Sequence, residues 1–361
     1  MSVRLCATDA DYSAWDHFVS ELDGAHYFQT FGWLRSYQAM GFTPHVLLYE
    51  RDGEITGGVG FLSLKLPLLS RRIVVIPHGP LPPSPDAPAW QPVMQALDAF
   101  CQERGVIYAQ LYPHESADKR ILLAEVERFG FTQPALFGSH RFSSTPVMVN
   151  LHGKTEDEIL RSLRKKTRQY VRHALKSELV LRTAVDDGIF DRIYQLLLEN
   201  GELMGYQPRP YASLRAAWEW FAPRGSASFV QAWHADVLVG AILLVFIGRT
   251  AYYLAGAVRR GFEDQCPAEF LHWYGIREAL ARQMHAYDLV NISTPGVEQF
   301  KRGFRPDVGC WHEPRTKVYA PVLAQVVTIA ERYLRPVLRG AARLRARLAG
   351  TPAVDDQVSA L

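Results

Sequence analysis

The sequence has few cysteines and no spacing of them that suits a metal site. Its four cysteines, Cys6, Cys101, Cys266 and Cys310, lie far apart in 361 residues, without a C-x-x-C or Cys/His pattern. Neither a zinc site nor a disulfide framework is indicated. We therefore expect no metal, and a reducing cytoplasm as the location.

Long hydrophobic runs are also missing. The longest run, Val237–Ile247, is about half of the roughly 20 residues that a membrane-spanning helix needs. The first residues, MSVRLCATDADYSAWD, carry acids where a signal peptide has a positive start and an apolar centre. We expect a chain that does not cross a membrane and is not exported by this route.

The composition is that of an ordinary globular protein, with 48% hydrophobic and 21% charged residues and a net charge of +3. The length allows two separate hydrophobic cores. The stretch VLLYERDGEITGGVGFL, a hairpin signal around Asp52-Gly53, matches VQAWHADVLVGAILLV, with Gly57 aligned to Gly240. This match predicts a duplicated α+β unit.

One predicted helix, from about Glu156 to Ser177, is densely basic. Seven Lys and Arg residues lie between Arg161 and Lys176 without one acid. Because like charges on a helix repel, this surface favours contact with a polyanion. A nucleic acid backbone, a pyrophosphate group and a membrane surface are the options, and a solvated face that only aids solubility is the alternative.

The stretch Ala251–Phe304 combines an aromatic strand, a helix at Pro267–Met284, a short strand at Asp288–Ile292 and a predicted loop around Phe300-Lys301. A lysine between aromatic residues just after a strand can clamp a phosphate or a developing negative charge. A turn whose phenylalanines fill the core is the alternative. Tyr252 and Tyr253 are adjacent on a strand and point to opposite faces, so one of them reaches such a site.

No arrangement of a nucleophile with a base stands out, so a covalent intermediate on a side chain is not indicated. Asp264, Glu269 and Asp288 are candidate bases, although each also suits a structural role. Acyl-CoA enzymes bind the CoA pyrophosphate with an R/Q-x-x-G-x-G/A turn, and this turn is missing from the sequence. Its absence argues against acyl-CoA as a substrate.

The order of several short motifs resembles the FemABX family of aminoacyl-tRNA-dependent peptidoglycan bridge transferases, over about residues 25–320. These motifs are Phe28-Gln29 with Trp33, His78-Gly79-Pro80, the basic helix, Tyr252-Tyr253-Leu254 with Gly256-Ala257, Pro267 to Leu271 with Trp273, Tyr287-Asp288-Leu289, and Phe300-Lys301 before Gly303-Phe304. The resemblance implies an α+β fold with two tandem GNAT-like domains, each a mixed sheet with flanking helices. We place an acceptor-side domain at 1–150, an acyl-transfer domain at 151–320 and a basic helical tail at 321–361. The tail suits an anionic membrane surface or packing against the second domain.

The resemblance further implies transfer of an amino acid from aminoacyl-tRNA to an amine of a peptidoglycan or other envelope precursor, lipid-linked or nucleotide-linked, with no cofactor. The protein is then cytoplasmic, with peripheral contact to the inner membrane surface as a further expectation. The implied catalytic residues are Lys301, Phe300, Tyr253 and Tyr252. The implied substrate-binding residues are Trp33, Arg35, Arg209, Tyr211, Arg164, Arg168 and Arg172.

Three departures from the family pattern concern the acceptor. Tyr112-Pro113 stands where the family often has an acid, Arg35 is not at the usual spacing, and Arg209 is the nearest substitute for an arginine expected near Met204. Two other functions stay open: an acyl-CoA-dependent N-acyltransferase for an envelope sugar or small amine, and a degenerate double-GNAT module that only binds tRNA or membrane.

Overall fold

A computed structural model describes residues 1–66, 70–82, 88–113, 119–136, 142, 145–291, 294–309 and 313–330. The predicted tail beyond residue 330, with its arginines from Arg332 onward, lies outside this part, as does Cys310. None of the helices in the described ranges combines the length and the hydropathy that crossing a membrane requires.

The chain forms two compact units, each with a seven-stranded mixed sheet. The first unit holds the described residues of Met1–Val19, Phe28–Ser143 and His312–Leu361, and the second those of Ser20–Tyr27 and Ser144–Trp311. The strands of the first sheet are β1 (Ser2–Leu5), β2 (Thr43–Arg51), β3 (Glu54–Lys65), β4 (Arg72–Pro77), β5 (Val106–Tyr112), β6 (Gln133–Pro134) and β14 (Arg315–Val318). Those of the second are β7 (Val147–Asn150), β8 (Val180–Arg182), β9 (Ala227–His234), β10 (Val237–Ile247), β11 (Thr250–Val258), β12 (Ala286–Asp288) and β13 (Asp307–Val308).

The α-helices lie between some of these strands, singly or in pairs. They are α1 (Asp9–Glu21), α2 (Phe31–Leu34), α3 (Trp90–Glu103), α4 (Lys119–Arg128), α5 (Glu156–Ser162), α6 (Lys165–Ala174), α7 (Asp187–Met204), α8 (Tyr211–Phe221), α9 (Pro267–Ala281) and α10 (Pro295–Arg302). One long helix supplies much of each core: α3 packs with Trp90 and Leu97 on the first sheet, and α9 packs with Trp273 and Ile276 on the second.

The two sheets have the same topology. Their strand orders are β1-β2-β3-β4-β5-β14-β6 and β8-β9-β10-β11-β12-β7-β13. In both, three antiparallel strands lead through a helix to a strand that is parallel to its neighbour, β5 beside β4 and β12 beside β11. The predicted α+β fold with tandem GNAT-like domains is confirmed.

The internal match reaches the level of single residues. The β2–β3 hairpin turns at Asp52-Gly53, as predicted. In this hairpin and in β9–β10, the second strand carries one extra residue, Thr56 or Val239, immediately before the aligned Gly57 or Gly240. A bulge at the same place in two hairpins supports duplication of one unit, because bulges are specific features of a strand pair.

The sequence also predicts a final pair of strands at Asp288–Ile292 and Thr316–Ala320, and this pairing is wrong. The strand that ends at Asp288 pairs with β11 and β7, whereas β14 pairs with β5 in the other sheet. There the Thr316 hydroxyl donates to Gln110 Oε1 at 3.3 Å in a buried position. The second sheet therefore takes β7 from the segment that follows β6 of the first sheet, and the first sheet takes β14 from the segment that follows β13 of the second.

Candidate active site

The second sheet opens between two parallel strands. β11 and β12 are paired only as far as Tyr252 opposite Asp288, although β11 runs on to Val258 beside β10. The chain after β12 follows β7 instead, and Leu289 N–H donates to Val147 O at 2.9 Å. In the first sheet, β4 and β5 stay paired to the last residue of each strand. Only the second sheet therefore offers this opening in the described residues.

The two adjacent tyrosines of β11 point to opposite faces, as predicted. Tyr252 is buried, and its hydroxyl donates to Ala25 O at 3.2 Å, beside the rings of His26 and Tyr27. Tyr253 is half-buried and lies on the face that carries Lys301, whose Nζ is 5.6 Å from the centre of the Tyr253 ring. Tyr253 is thus the tyrosine at the opening.

Lys301 is buried, with 6% of its surface exposed. Its ammonium donates to three successive backbone carbonyls, those of Leu289 at 2.6 Å, Val290, and Asn291 at 2.7 Å. Val290 and Asn291 both have positive φ, 46° and 53°. Burial lowers the pKa of Lys301 to about 8, against the opposing charge of Asp288. An ammonium has three donors, so all of them are engaged with this loop.

The loop predicted around Phe300-Lys301 is wrong, because these residues lie in α10. The Thr294 hydroxyl accepts from Val297 N–H, and Pro295 occupies the first turn. Both are standard helix-start signals that the sequence contains. The last turn of α10 therefore positions Lys301, and the helix rather than a turn fixes its direction.

His272 on α9 is a residue of this cluster that sequence reasoning missed. It is buried, and Nδ1 lies 2.9 Å from the Tyr287 hydroxyl. The rings of Tyr253, Phe300 and Phe304 surround it, with centroid distances of 4.7, 5.4 and 5.7 Å. Burial and the Lys301 charge lower the pKa of His272 to about 3, so the imidazole is neutral at pH 7. The sequence pattern did not single out His272, because the aromatic residues around it in the sequence are typical of a hydrophobic core.

Asp288 binds the backbone of the loop that holds the Lys301 ammonium. Its Oδ1 accepts from the backbone N–H groups of Val147 and Val290, both at 2.8 Å. Its Oδ2 is buried without a hydrogen-bond partner among the described residues. Burial raises the pKa of Asp288 to about 6, while the two backbone donors and Lys301 act in the opposite direction. The carboxyl group holds the loop and does not reach the opening, since the side chain is fully buried.

The basic helix predicted from about Glu156 to Ser177 is two helices. Leu163 and Arg164 adopt extended ψ angles of 151° and 143°, which end α5 and start α6. The break is held by tertiary bonds: Arg164 N–H donates to Gly303 O at 3.0 Å, and the Arg168 guanidinium donates to Arg161 O at 2.6 Å. The hydrogen bond to Gly303 O thereby links the start of α6 to the end of α10.

The three arginines predicted to bind phosphates consequently differ. Arg164 lines a pocket with Arg302 and Arg305. Arg168 is engaged with the carbonyls at the end of α5. Arg172 is exposed in the last turn of α6, where it forms no ion pair with a described residue.

Gly303 allows the close approach of α6 and α10, because a Cβ there would overlap the Thr167 hydroxyl and lie 2.8 Å from Phe300 O. We expect Gly303→Ala to lower the free energy of unfolding by about 1–3 kcal/mol, as overpacking does. Gly296→Ala is the matched control in the same helix, since its Cβ meets nothing within 4 Å. Urea unfolding of both variants measures this, and equal stability would show that α6 can move aside.

Trp33 and Arg35, predicted to bind the acceptor, lie in the first unit at α2. Trp33 is buried, 5% exposed, with its ring centre 6.2 Å from that of Phe28 and 6.4 Å from that of Tyr37. Arg35 is half-buried at the end of α2. Their binding roles remain predictions.

Arg209 and Tyr211 lie in the second unit at the start of α8. Arg209 Nε donates to Ser213 Oγ at 2.6 Å, and the Tyr211 hydroxyl donates to Asp191 Oδ1 at 2.6 Å. Tyr211 is 39% exposed. Both side chains are held in place at the start of α8, and their binding roles also remain predictions.

The sequence model of the FemAB family matches residues 11–199, and that of an acetyltransferase (GNAT) domain matches residues 161–302. No curated protein sequence matches the chain. A crystal structure of FemX superposes with a TM-score of 0.79 at 17% identity, over 91% of this chain and 100% of that one.

Two further solved structures are similar at lower scores. A tandem GNAT protein from the clavulanic acid biosynthesis pathway has a TM-score of 0.53 at 12% identity, covering 87% of this chain and 98% of its own. L-PGS from Bacillus licheniformis has a TM-score of 0.53 at 12% identity, covering 89% and 96%. At such identities the likeness establishes the tandem fold.

Proposed function

This chain belongs to the FemAB family and is an acyltransferase by fold, and from that premise we propose that it moves an amino acid from aminoacyl-tRNA to an amine of a peptidoglycan or other envelope precursor. The observation that carries the proposal is the cluster of Tyr253, His272, Phe300 and Lys301 at the opening between β11 and β12. It combines a buried cation with an aromatic wall, next to the only divergent pair of parallel strands in the described chain.

In the proposed reaction the acceptor amine attacks the ester carbonyl directly. A C–N bond forms, the bond to the ribose oxygen breaks, and the amine proton passes to that leaving oxygen. Because the three N–H groups of Lys301 bind the loop carbonyls, Lys301 acts through its charge on the developing oxyanion. The Tyr253 hydroxyl has no hydrogen-bond partner in the described part of the chain and supplies the direct donor, while Phe300 shields the site from water.

The proposed binding surfaces follow from the same division of roles. Arg209 and Tyr211 of the second unit are assigned to a lipid-linked or nucleotide-linked acceptor. The unneutralised cations of α6 are assigned to the tRNA backbone. We also place the protein in the cytoplasm at the membrane surface, since Val322, Val326 and Ile329 are exposed at helical spacing before the basic tail sequence. Co-sedimentation of the full chain with anionic vesicles tests this last point.

A transfer assay decides between donors. The purified protein is incubated with envelope precursors and either aminoacyl-tRNA or acyl-CoA, and products are identified by mass. We expect product only with aminoacyl-tRNA. The GNAT-domain match at residues 161–302 favours the alternative, an acyl-CoA-dependent N-acyltransferase, and product from acyl-CoA without tRNA would establish it instead.

A further inference from the structure

We infer that Arg164, Arg302 and Arg305 form a phosphate-binding site that takes one backbone phosphate of the RNA donor. The three arginines and Pro306 line a pocket of about 330 Å³ in the second unit, where α6 begins and α10 ends. The inference rests on the proposed RNA donor and adds a defined site, with two arginines that the sequence did not single out.

The charge in this pocket is not balanced by the protein. Arg302 Nε pairs with Glu298 Oε1 at 2.7 Å. Arg164 and Arg305 form no ion pair with any residue that the structure describes. Guanidinium groups brought together around a cavity repel one another, and an anion relieves that repulsion. The planar, forked guanidinium matches phosphate oxygens particularly well.

The backbone keeps the three arginines in place. Arg305 has a φ of 51°, a left-handed conformation that is uncommon for a residue with a side chain. Its N–H donates to Arg302 O at 3.2 Å, and Arg164 N–H donates to Gly303 O at 3.0 Å. The first turn of α6 also contains no acid and receives no side-chain cap from the described residues, so its N–H groups add positive potential.

The surroundings of the pocket favour a nucleic acid strand over a single diphosphate. Lys165, Arg172 and Lys176 continue from Arg164 along α6 and its end, and none forms an ion pair with a described residue. Twelve residues of helical rise span on the order of 18 Å. That length exceeds one diphosphate and accommodates several successive phosphates of one strand.

Binding of a fluorescent RNA hairpin with a single-stranded 3′ tail and no amino acid tests the site. Its affinity is measured by anisotropy over a salt series for Arg164→Gln and Arg305→Gln, neither of which breaks an ion pair among the described residues. We expect about tenfold weaker binding for each, and a salt slope reduced by about one. Arg305→Lys keeps the charge and should keep the slope. Arg260→Gln, which removes an exposed charge after β11, is the control and should stay within about twofold of the parent.

Unchanged affinity and slope in both glutamine variants would overturn the site, as would losses equal to that of Arg260→Gln. Binding to vesicles that carry a lipid-linked diphosphate is measured for the same variants. If they bind these vesicles more weakly than the parent but bind the RNA equally well, the site belongs to the lipid and the inference is wrong. The outcome is separable from that of the proposed function. If the parent transfers from aminoacyl-tRNA while both variants keep its KM, the site is wrong and the function stands. If the parent neither binds the hairpin nor uses aminoacyl-tRNA, the function itself fails.

Discussion

Replacing Lys301 with methionine lowers the turnover of acyl transfer by about 10²–10³-fold, the usual loss when a preorganised charge or donor at a developing oxyanion is removed. Methionine keeps an unbranched side chain in the same space. It removes the ammonium that binds the carbonyls of Leu289, Val290 and Asn291. We therefore also expect the free energy of unfolding to fall by about 1–3 kcal/mol, because these carbonyls lose a charged donor.

The pH dependence of turnover separates the loss of catalysis from the loss of stability. In the parent, turnover should decrease as the pH rises through about 8, because Lys301 loses its proton there. The methionine variant should lack this limb while remaining folded at the assay temperature. Tyr253→Phe is the companion variant, since it keeps the ring beside Lys301 and removes only the hydroxyl. A methionine variant that is less stable but turns over normally would restrict Lys301 to holding the loop.

The features that the sequence predicted well are local. The turn at Asp52-Gly53 and the start of α9 at Pro267 each depend on residues close in sequence. The repeated unit was also accessible, because the bulges before Gly57 and Gly240 lie in matched short segments. The family resemblance rested on the order of such segments, and the FemAB match confirms it.

The features that the sequence did not predict depend on distant partners. No Gly or Pro marks the break between α5 and α6, since it is held by Gly303 O and by the Arg168 side chain. The strand Arg315–Val318 pairs with β5, which precedes it by about two hundred residues. The start of α10 is different, because Thr294 and Pro295 are local helix-start signals. They predict a helix at this position, whereas a loop was expected there.

The site was predicted only in part for the same reason. Alternation along a strand shows that the side chains of Tyr252 and Tyr253 point to opposite faces of the sheet. Which of them lies beside Lys301 depends on the elements that pack on each face, and these are distant in sequence. The three carbonyls around the Lys301 ammonium arise from a backbone conformation at Val290 and Asn291 that the sequence does not suggest. His272 becomes meaningful once Tyr287 and Lys301 are known to lie beside it.

Acid should destabilise the protein through His272. Its pKa in the folded protein is about 3, against about 6.5 for a solvated histidine, so the unfolded chain binds the proton more readily between these values. Stability from the neutral imidazole is complete above pH 6.5 and is lost as the pH falls toward 3. Asp288 acts oppositely, because its raised pKa makes the folded state bind a proton between about pH 4 and 6.

A comparison of His272→Gln with the parent isolates the histidine, since Asp288 contributes to both proteins. Glutamine keeps a polar partner for the Tyr287 hydroxyl and does not titrate. We expect the stability of the variant relative to the parent to rise by about 3 kcal/mol between pH 6.5 and pH 4, from about 1.36 kcal/mol for each pH unit. Urea unfolding at four pH values measures this, with the exposed His17→Gln as the control. Parallel curves for His272→Gln and the parent would show that His272 accepts a proton without cost, and would remove the neutral imidazole from the proposed site.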